Sequence, residues 1–244
     1  MNLLEIQSSA RQQGSISRLL SQEFIKAWQT SYSTVQHQKR DVGNYPPAYI
    51  TELWTKANYL DPQQRSLEMV AVLSESEDLI KELFWADRLV LGVPMYNFSV
   101  PATLKAYIDN IVRINRTFTF DPQTHSFQGL VKNKKALIIT PSAGDFTPGT
   151  PLGTMNFCET YLRSLFSFIG IGHLKIARFL LAIKSSLLIP KFSSEIVLVN
   201  NQVGVLNICD RQPQSAFSFY FTEYKISTLF AIVNPDKLKL KDGR

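Results

Sequence analysis

Hydroxyl groups crowd one early loop of the chain. Ser8 and Ser9 follow the short apolar run Asn2-Leu3-Leu4-Glu5-Ile6, and Ser15 and Ser17 sit where a helical pattern begins. A strand that passes through a hydroxyl-rich loop into a helix is suited to holding an anion. The first turn of a helix presents N–H groups without partners, together with the positive end of the helix dipole. Serine is also an ordinary helix cap, and Ser15 is the expected cap here. A second loop, Pro94-Met95-Tyr96-Asn97-Phe98, follows the apolar run Leu89–Val93 and leads into another helix. Its aromatics and amide suit a flat ligand with polar edges, or equally a lid on the core. A third loop, Pro141-Ser142-Ala143-Gly144-Asp145-Phe146, follows Ala136–Thr140 and allows close backbone approach.

The elements between these loops set where they lie. Ile16, Leu19, Leu20, Phe24 and Trp28 recur at helical spacing. Ser33–Val42 is polar and reads as an edge strand. Residues 43–63 carry Pro46, Pro47 and Pro62 with Tyr45, Tyr49, Trp54 and Tyr59, and read as an irregular excursion packed on its own domain. From Gln63 to Trp85, Leu67, Val70, Leu73, Leu79, Ile80, Leu83 and Phe84 mark a helix. After the second loop, Ser99 is the expected N-cap, with Pro101 in the first turn and a stripe at Leu104, Tyr107, Ile108, Ile111 and Val112. Lys105 with Asp109, and Asp109 with Arg113, read as solvated pairs. Asn115–Gln128 is a loop or hairpin bearing Phe118, Phe120 and Phe127. Met155, Cys158, Leu162, Leu165 and Ile169 give the next helix, stopped at Gly170-Ile171-Gly172, and His173–Leu181 a further strand.

This alternation predicts an α/β fold: a doubly wound, five-stranded parallel sheet with right-handed crossovers. In the flavodoxin-like order 2-1-3-4-5, the loops after strands 1, 3 and 4 converge at the switch point. Together they suit a phosphorylated, planar ligand better than any one of them alone.

Composition narrows the classes. The 244 residues fit one large domain or a domain with an extension, and 45% hydrophobic content supports a sizeable core. The net charge of +6 is dispersed, without the basic, aromatic-interleaved stripe of a nucleic-acid binder. Cys158 and Cys209 are far apart in sequence, and His37, His125 and His173 are scattered, so neither a disulfide framework nor a metal site is expected. Cys158 lies on an apolar stripe and reads as a buried, inert thiol. No apolar run is long enough for a membrane span, no signal peptide is read at the N-terminus, and a cytoplasmic location is the expectation.

The same residues carry a resemblance. Ser8-Ser9 with Ser15-Ile16-Ser17, PMYNF at 94–98 with LKAYIDNIVR at 104–113, Thr117-Phe118, Gly129-Leu130-Val131, KKALIIT at 134–140 and YLRSLFSFIGI at 161–171 resemble the FMN-dependent NADH-azoreductases of the flavodoxin-like superfamily, also described as NADH:quinone oxidoreductases. The resemblance covers roughly residues 1–180. It implies an FMN-binding homodimer working by a ping-pong mechanism: NADH or NADPH reduces the flavin, which then reduces a quinone or azo compound. It implies that Ser9, Ser15, Ile16 and Ser17 hold the FMN phosphate. Met95, Tyr96, Asn97 and Phe98 would line the ring system, and Pro141, Ser142, Ala143 and Gly144 would meet its edge. Phe118 and Phe120 would lie near the substrate, within one protomer or across the dimer interface. No side chain is required as an essential acid or base, since the cofactor carries the electrons.

Two departures qualify it. The family's third loop usually ends in Gly-Gly, and Ala143 replaces the first glycine, which would disfavour a positive φ and add a methyl near the ring. Residues 182–244 match no family element, although Glu195–Asn200, Val203–Cys209 and Phe217–Phe221 are strand-like. The expected division is therefore an FMN-binding domain at 1–181 and a divergent segment at 182–244. That segment would either stand in place of the family's last helix, as after a shifted reading frame, leaving a sheet face uncovered and the segment poorly ordered, or be an extension pairing with the sheet edge. The competing function is a non-catalytic relative of the same fold with impaired FMN binding. An electron-carrier flavodoxin fits less well, since such carriers tend to be acidic and lack PMYNF.

Overall fold

Alternating apolar runs and amphipathic helices produce a parallel sheet, as expected. The structure, a computed structural model, describes residues 1–32, 34–180, 192–199, 202–209, 212–222 and 225–232. Strands β1 (Asn2–Gln7), β2 (Gln36–Asp41), β3 (Arg88–Gly92), β6 (Lys135–Ser142) and β7 (His173–Leu180) form a five-stranded sheet in the order β2-β1-β3-β6-β7. Each neighbouring pair is parallel, with Gln7 opposite Gly92 and Gly92 opposite Ile139. In order of sheet strands this is 2-1-3-4-5. Between β3 and the long strand β6, the chain folds helix α4 (Ala102–Ile111) and the antiparallel hairpin β4 (Phe118–Asp121) and β5 (Ser126–Gly129).

The central strands are buried on both faces, so they read as continuous apolar runs. On one face, Leu4, Ile6, Leu89, Leu91 and Ile138 share a core with helices α3 (Leu67–Trp85), α4 and α5 (Phe157–Phe168), through Leu83, Tyr107, Cys158 and Leu162. On the other face, Leu3, Val90, Leu137 and Ile139 are also buried. Helix α1 (Ile16–Ser31) buries Leu20, Phe24, Ile25 and Trp28.

Several expectations are corrected. The excursion at 43–63 contains helix α2 (Glu52–Tyr59), capped by the Thr51 hydroxyl on the Trp54 N–H, and a 3₁₀ turn at Pro62–Gln64. The flanking prolines obscured it, although proline is compatible with helix starts. Of its aromatics only Trp54 is buried; Tyr45, Tyr49 and Tyr59 are exposed. On α3, Leu67, Val70 and Phe84 also face solvent, because the helix buries a narrower stripe through Leu73, Ser76, Leu79, Ile80 and Leu83. Helix α4 begins after Pro101, and Ser99 instead closes a turn with Tyr96. Pro141 and Ser142 extend β6, pairing with Phe179 and Leu180.

Arg113 is the largest correction. It is 1% exposed and belongs to no solvated pair. Its Nε donates to Asn58 Oδ1 (2.8 Å), and its Nη1 donates to Ser76 Oγ (2.9 Å) and Glu77 Oε1 (2.8 Å). The guanidinium lies 5.6 Å from the Trp54 ring centroid. Asp109 pairs with Lys105 instead. Residue spacing on α4 alone could not show that α2 and α3 supply these acceptors. Burial draws the Arg113 guanidinium below its ordinary range, against the pull of Glu77.

Beyond residue 191, β8 (Phe192–Val199), β9 (Gln202–Cys209), β10 (Gln212–Thr222) and β11 (Lys225–Ile232) form an antiparallel sheet in the order β11-β10-β9-β8. These strands pair with one another, antiparallel throughout. Leu181 and Asn200, the expected ends of two strands, lie outside the described residues. The chain divides into two compact units, Met1–Ser21 with Tyr32–Ala182, and Gln22–Ser31 with Ile183–Arg244. Among the described residues, no helix is long and apolar enough to cross a membrane.

Replacing Arg113 with Met leaves Glu77, Asn58 and Ser76 without their shared donor. Glu77 is part-exposed and keeps Arg116 as a partner, so the loss falls on the buried acceptors, about 1–3 kcal/mol each; R113M should lower the urea-unfolding free energy by that order, and a loss below about 1 kcal/mol would contradict the network's structural role.

Candidate functional site

Three loops leave the same edge of the sheet. At the end of β1, Ser8 donates from its N–H and its Oγ to the Gly92 carbonyl, at 3.1 and 2.9 Å. At the end of β3, Val93 N–H donates to the Ile139 carbonyl (2.8 Å) and Met95 N–H to the Pro141 carbonyl (3.2 Å). The Ala10 N–H meets the Tyr96 hydroxyl at 3.3 Å. Phe98 and Phe146 stand edge to face, 6.0 Å apart. Ser8–Ser17, Pro94–Phe98 and Pro141–Phe146 are thus brought together, the convergence expected at a switch point.

The first loop is built from donors. Ser15 caps α1, its Oγ accepting from the Arg18 N–H (3.4 Å) and lying 3.2 Å from Ser17 Oγ. Ser9 Oγ accepts from the Arg11 N–H at 3.2 Å. Ser9, Ser15 and Ser17 are all buried. The N–H groups of Ile16 and Ser17 lie in the first turn, where no carbonyl of their own helix can reach them. No carboxylate occurs between Ser8 and Ser17, and none in the first turn of α1. This donor set fits a phosphate.

The second loop is a tight turn. Tyr96 and Ser99 exchange both backbone hydrogen bonds at 3.0 Å, and between them Asn97 and Phe98 have φ of 48° and 70°. Two consecutive left-handed residues make a mirror-image turn, which glycine fills most readily. Asn tolerates this conformation, while a bulky residue such as Phe pays about 1–2 kcal/mol. The turn is held from outside, since the Cys158 N–H at the start of α5 donates to the Phe98 carbonyl at 3.0 Å. Tyr96 and Phe98 are 37% and 40% exposed, leaving ring surface open at the rim. Flat groups with such an open rim fit a planar ligand.

In the third loop, Ser142 Oγ donates to the Gly144 carbonyl at 2.9 Å. Ala143 is exposed and is not among the residues with positive φ. The strain expected from replacing glycine is absent, because this backbone does not require the left-handed region. Phe118 and Phe120 lie on β4, in a cluster with Phe127 and Phe168 rather than on the three loops. Phe118 is 4.8 Å from Phe168, and Phe120 is 5.0 Å from Phe127.

Sequence reasoning missed the pair of the buried Arg18 and the half-buried Asp41 beside the first loop. The Arg18 guanidinium grips the Asp41 carboxylate at 2.6 and 2.7 Å, and Asn44 donates to the same carboxylate from its N–H and Nδ2. The signal was a basic residue in the first turn of a helix, where the dipole disfavours it.

A model of the flavodoxin-like fold family matches residues 1–185. An FMN-dependent NADH:quinone oxidoreductase of Nostoc punctiforme is 46% identical over 171 residues, covering 70% of this chain and 82% of that protein. An FMN-dependent NAD(P)H:quinone oxidoreductase of Pseudomonas aeruginosa is 39% identical over 178 residues, covering 71% and 84%. The chain belongs to the FMN-dependent NADH:quinone oxidoreductase family. Its fold also matches an FMN-dependent NADH-azoreductase of Bacillus anthracis solved with FMN, with a TM-score of 0.66, 22% identity and coverage of 72% and 85%. The family model spans the part of the chain that carries the three loops.

Two carboxylates near this edge, the half-buried Asp41 and the buried Glu159, set its acid response. Burial pushes Asp41 up, but hydrogen bonds from Arg18 and Asn44 outweigh it and hold the carboxyl below its ordinary range. Glu159 on α5 behaves alike, with Arg178 and Arg163 overcoming burial. Between the folded and unfolded pKa values, the unfolded chain binds more protons than the folded one. The stability from these groups is therefore complete above about pH 5 and lost as pH falls through their lowered values. The thermal midpoint of the wild type should drop as pH falls below about 4, and D41N should flatten that drop; an unchanged acid profile in D41N would remove Asp41 from this account.

Proposed function

We propose that this chain is an FMN-dependent NAD(P)H oxidoreductase that reduces quinones and azo compounds in two alternating half-reactions. The observation that carries this reading is the convergence of a carboxylate-free serine loop, an aromatic-amide turn and a small-residue loop at one sheet edge, in a member of this family. Bound FMN would supply the chemistry, accepting hydride from the nicotinamide and returning the electrons to the acceptor. The residues' part is binding and orientation. Ser9, Ser15 and the first turn at Ile16 and Ser17 hold the phosphate. Met95, Tyr96, Asn97 and Phe98 support the ring system from one side, and Pro141, Ser142, Ala143 and Gly144 meet its edge. Phe118 and Phe120 shape the approach of the flat acceptor. No proton-transferring side chain is assigned.

The site lies within residues 1–181, and the reading gives 182–244 no part in it. We further propose a homodimer, supported by the exposed aromatic surface at Phe120, Phe127 and Phe168. A cytoplasmic setting suits the chain's free, buried Cys158, whose thiol burial pushes up to about 11.

The full chain reconstituted with FMN should show flavin absorbance, be bleached by NADH or NADPH without oxygen, and be restored by a benzoquinone. Double-reciprocal plots at several acceptor concentrations should be parallel. A protein that remains colourless after reconstitution overturns the reading, and intersecting lines overturn the alternation. Light scattering should give twice the 27.7 kDa chain mass; a monomer at micromolar concentration would refute the dimer.

A further inference from the structure

Arg18 stands three residues after the cap of α1 and is 6% exposed. A cation at a helix N-terminus opposes the dipole, and burying it sacrifices hydration. Its partners show what is obtained in return. Nε donates to the Arg11 carbonyl at 2.8 Å, and Nη2 donates to the Ser9 carbonyl at 2.6 Å. The remaining grip is the two-point pairing with Asp41. Gly43 lies flat against this arrangement: a Cβ there would strike the Ser9 carbonyl and come within 2.9 Å of Arg18 Nη2.

In a planar trans peptide, the carbonyl and the following N–H point in opposite directions. With the Ser9 and Arg11 carbonyls turned onto the guanidinium, the N–H groups of Ala10 and Gln12 are turned away from it. The Ala10 N–H indeed reaches the other way, to the Tyr96 hydroxyl on the second loop. The guanidinium therefore takes up two of the loop's acceptors, turning the Ala10 N–H onto the second loop and the Gln12 N–H away from the cation. An anion meeting this loop would not be opposed by the Ser9 and Arg11 carbonyl oxygens.

We propose that Arg18 is a positioning residue for the phosphate subsite: it holds the Ser9 and Arg11 carbonyls away from the anion, with Asp41 fixing its orientation, and does not itself bind the phosphate. This rests on the reading of the three loops as an FMN site. Its charge is balanced by Asp41, so the role is geometric and requires the planar fork of arginine. Lysine keeps the charge but cannot hold two carbonyls and a carboxylate in one plane.

The test uses riboflavin, which shares the ring system of FMN and lacks its phosphate. Full-length wild type, R18K and D41N are stripped of flavin and titrated with each compound, following quenching of flavin fluorescence, with circular dichroism confirming the fold. Wild type should bind FMN more tightly than riboflavin. In R18K that preference should shrink at least tenfold while riboflavin affinity changes less than threefold, and D41N should weaken FMN in the same direction. An R18K protein that keeps the wild-type preference overturns the proposal. So does tighter FMN binding by D41N, which would show that Arg18 acts on the phosphate through charge. Should R18K fail to fold, D41N decides by the same criterion. A wild type that binds neither compound overturns the cofactor reading itself, and one that binds both equally overturns the placement of the phosphate.

Discussion

Hydrogen bonding between neighbouring strands does not stop where the strands stop. Ser8 continues the pairing of β1 onto Gly92, and Val93 and Met95 continue that of β3 onto Ile139 and Pro141. The three loops are consequently held in the register of the sheet. A one-residue slip would turn core side chains to the opposite face, so the packing of Leu4, Leu89 and Ile138 also fixes the position of the loops. The helices that follow contribute through their ends: α1 offers its first turn, and α5 offers the Cys158 N–H that holds the second loop. Shape at the sheet edge is thus an outcome of apolar packing well below it.

Two buried arginines extend this order into polar territory. Arg113 links α2 and α3 to the end of α4, and Arg18 links the first loop to the end of β2. In each case the guanidinium meets acceptors from segments distant in sequence, which is what makes its burial tolerable. Such networks have much at stake, because any unmatched member is left in a medium that cannot hydrate it. Asp41 shows the balance: burial alone would raise its pKa, and its partners reverse the sign.

The sheet and its switch point were legible in the sequence because buried parallel strands write themselves as short apolar runs, as at Leu89–Val93 and Ala136–Thr140. The loops between them were legible because serine, proline and glycine mark turns. The polar interior was not. Nothing about Arg113, just past the end of α4, distinguishes a solvated cation from one buried against Asn58 and Glu77, since those partners are 36 and more residues away. Arg18 left one mark, a cation in the first turn of its helix, but its carboxylate partner is 23 residues away. Helix α2 was obscured by the prolines and tyrosines around it, and Leu67, Val70 and Phe84 extended the apolar pattern of α3 beyond the face it buries. The left-handed backbone at Phe98 left no trace, because the residue there is not glycine.

That turn bears on how a ligand can be received. Asn97 and Phe98 already occupy the conformation that an aromatic chain would least readily adopt, braced by the Tyr96–Ser99 pairing and by α5. The unfavourable backbone geometry is therefore offset by folding, before any encounter. A surface prepared in this way loses little further freedom when it is covered. The turn's two left-handed residues and its three backbone hydrogen bonds are thus in place in the folded chain itself.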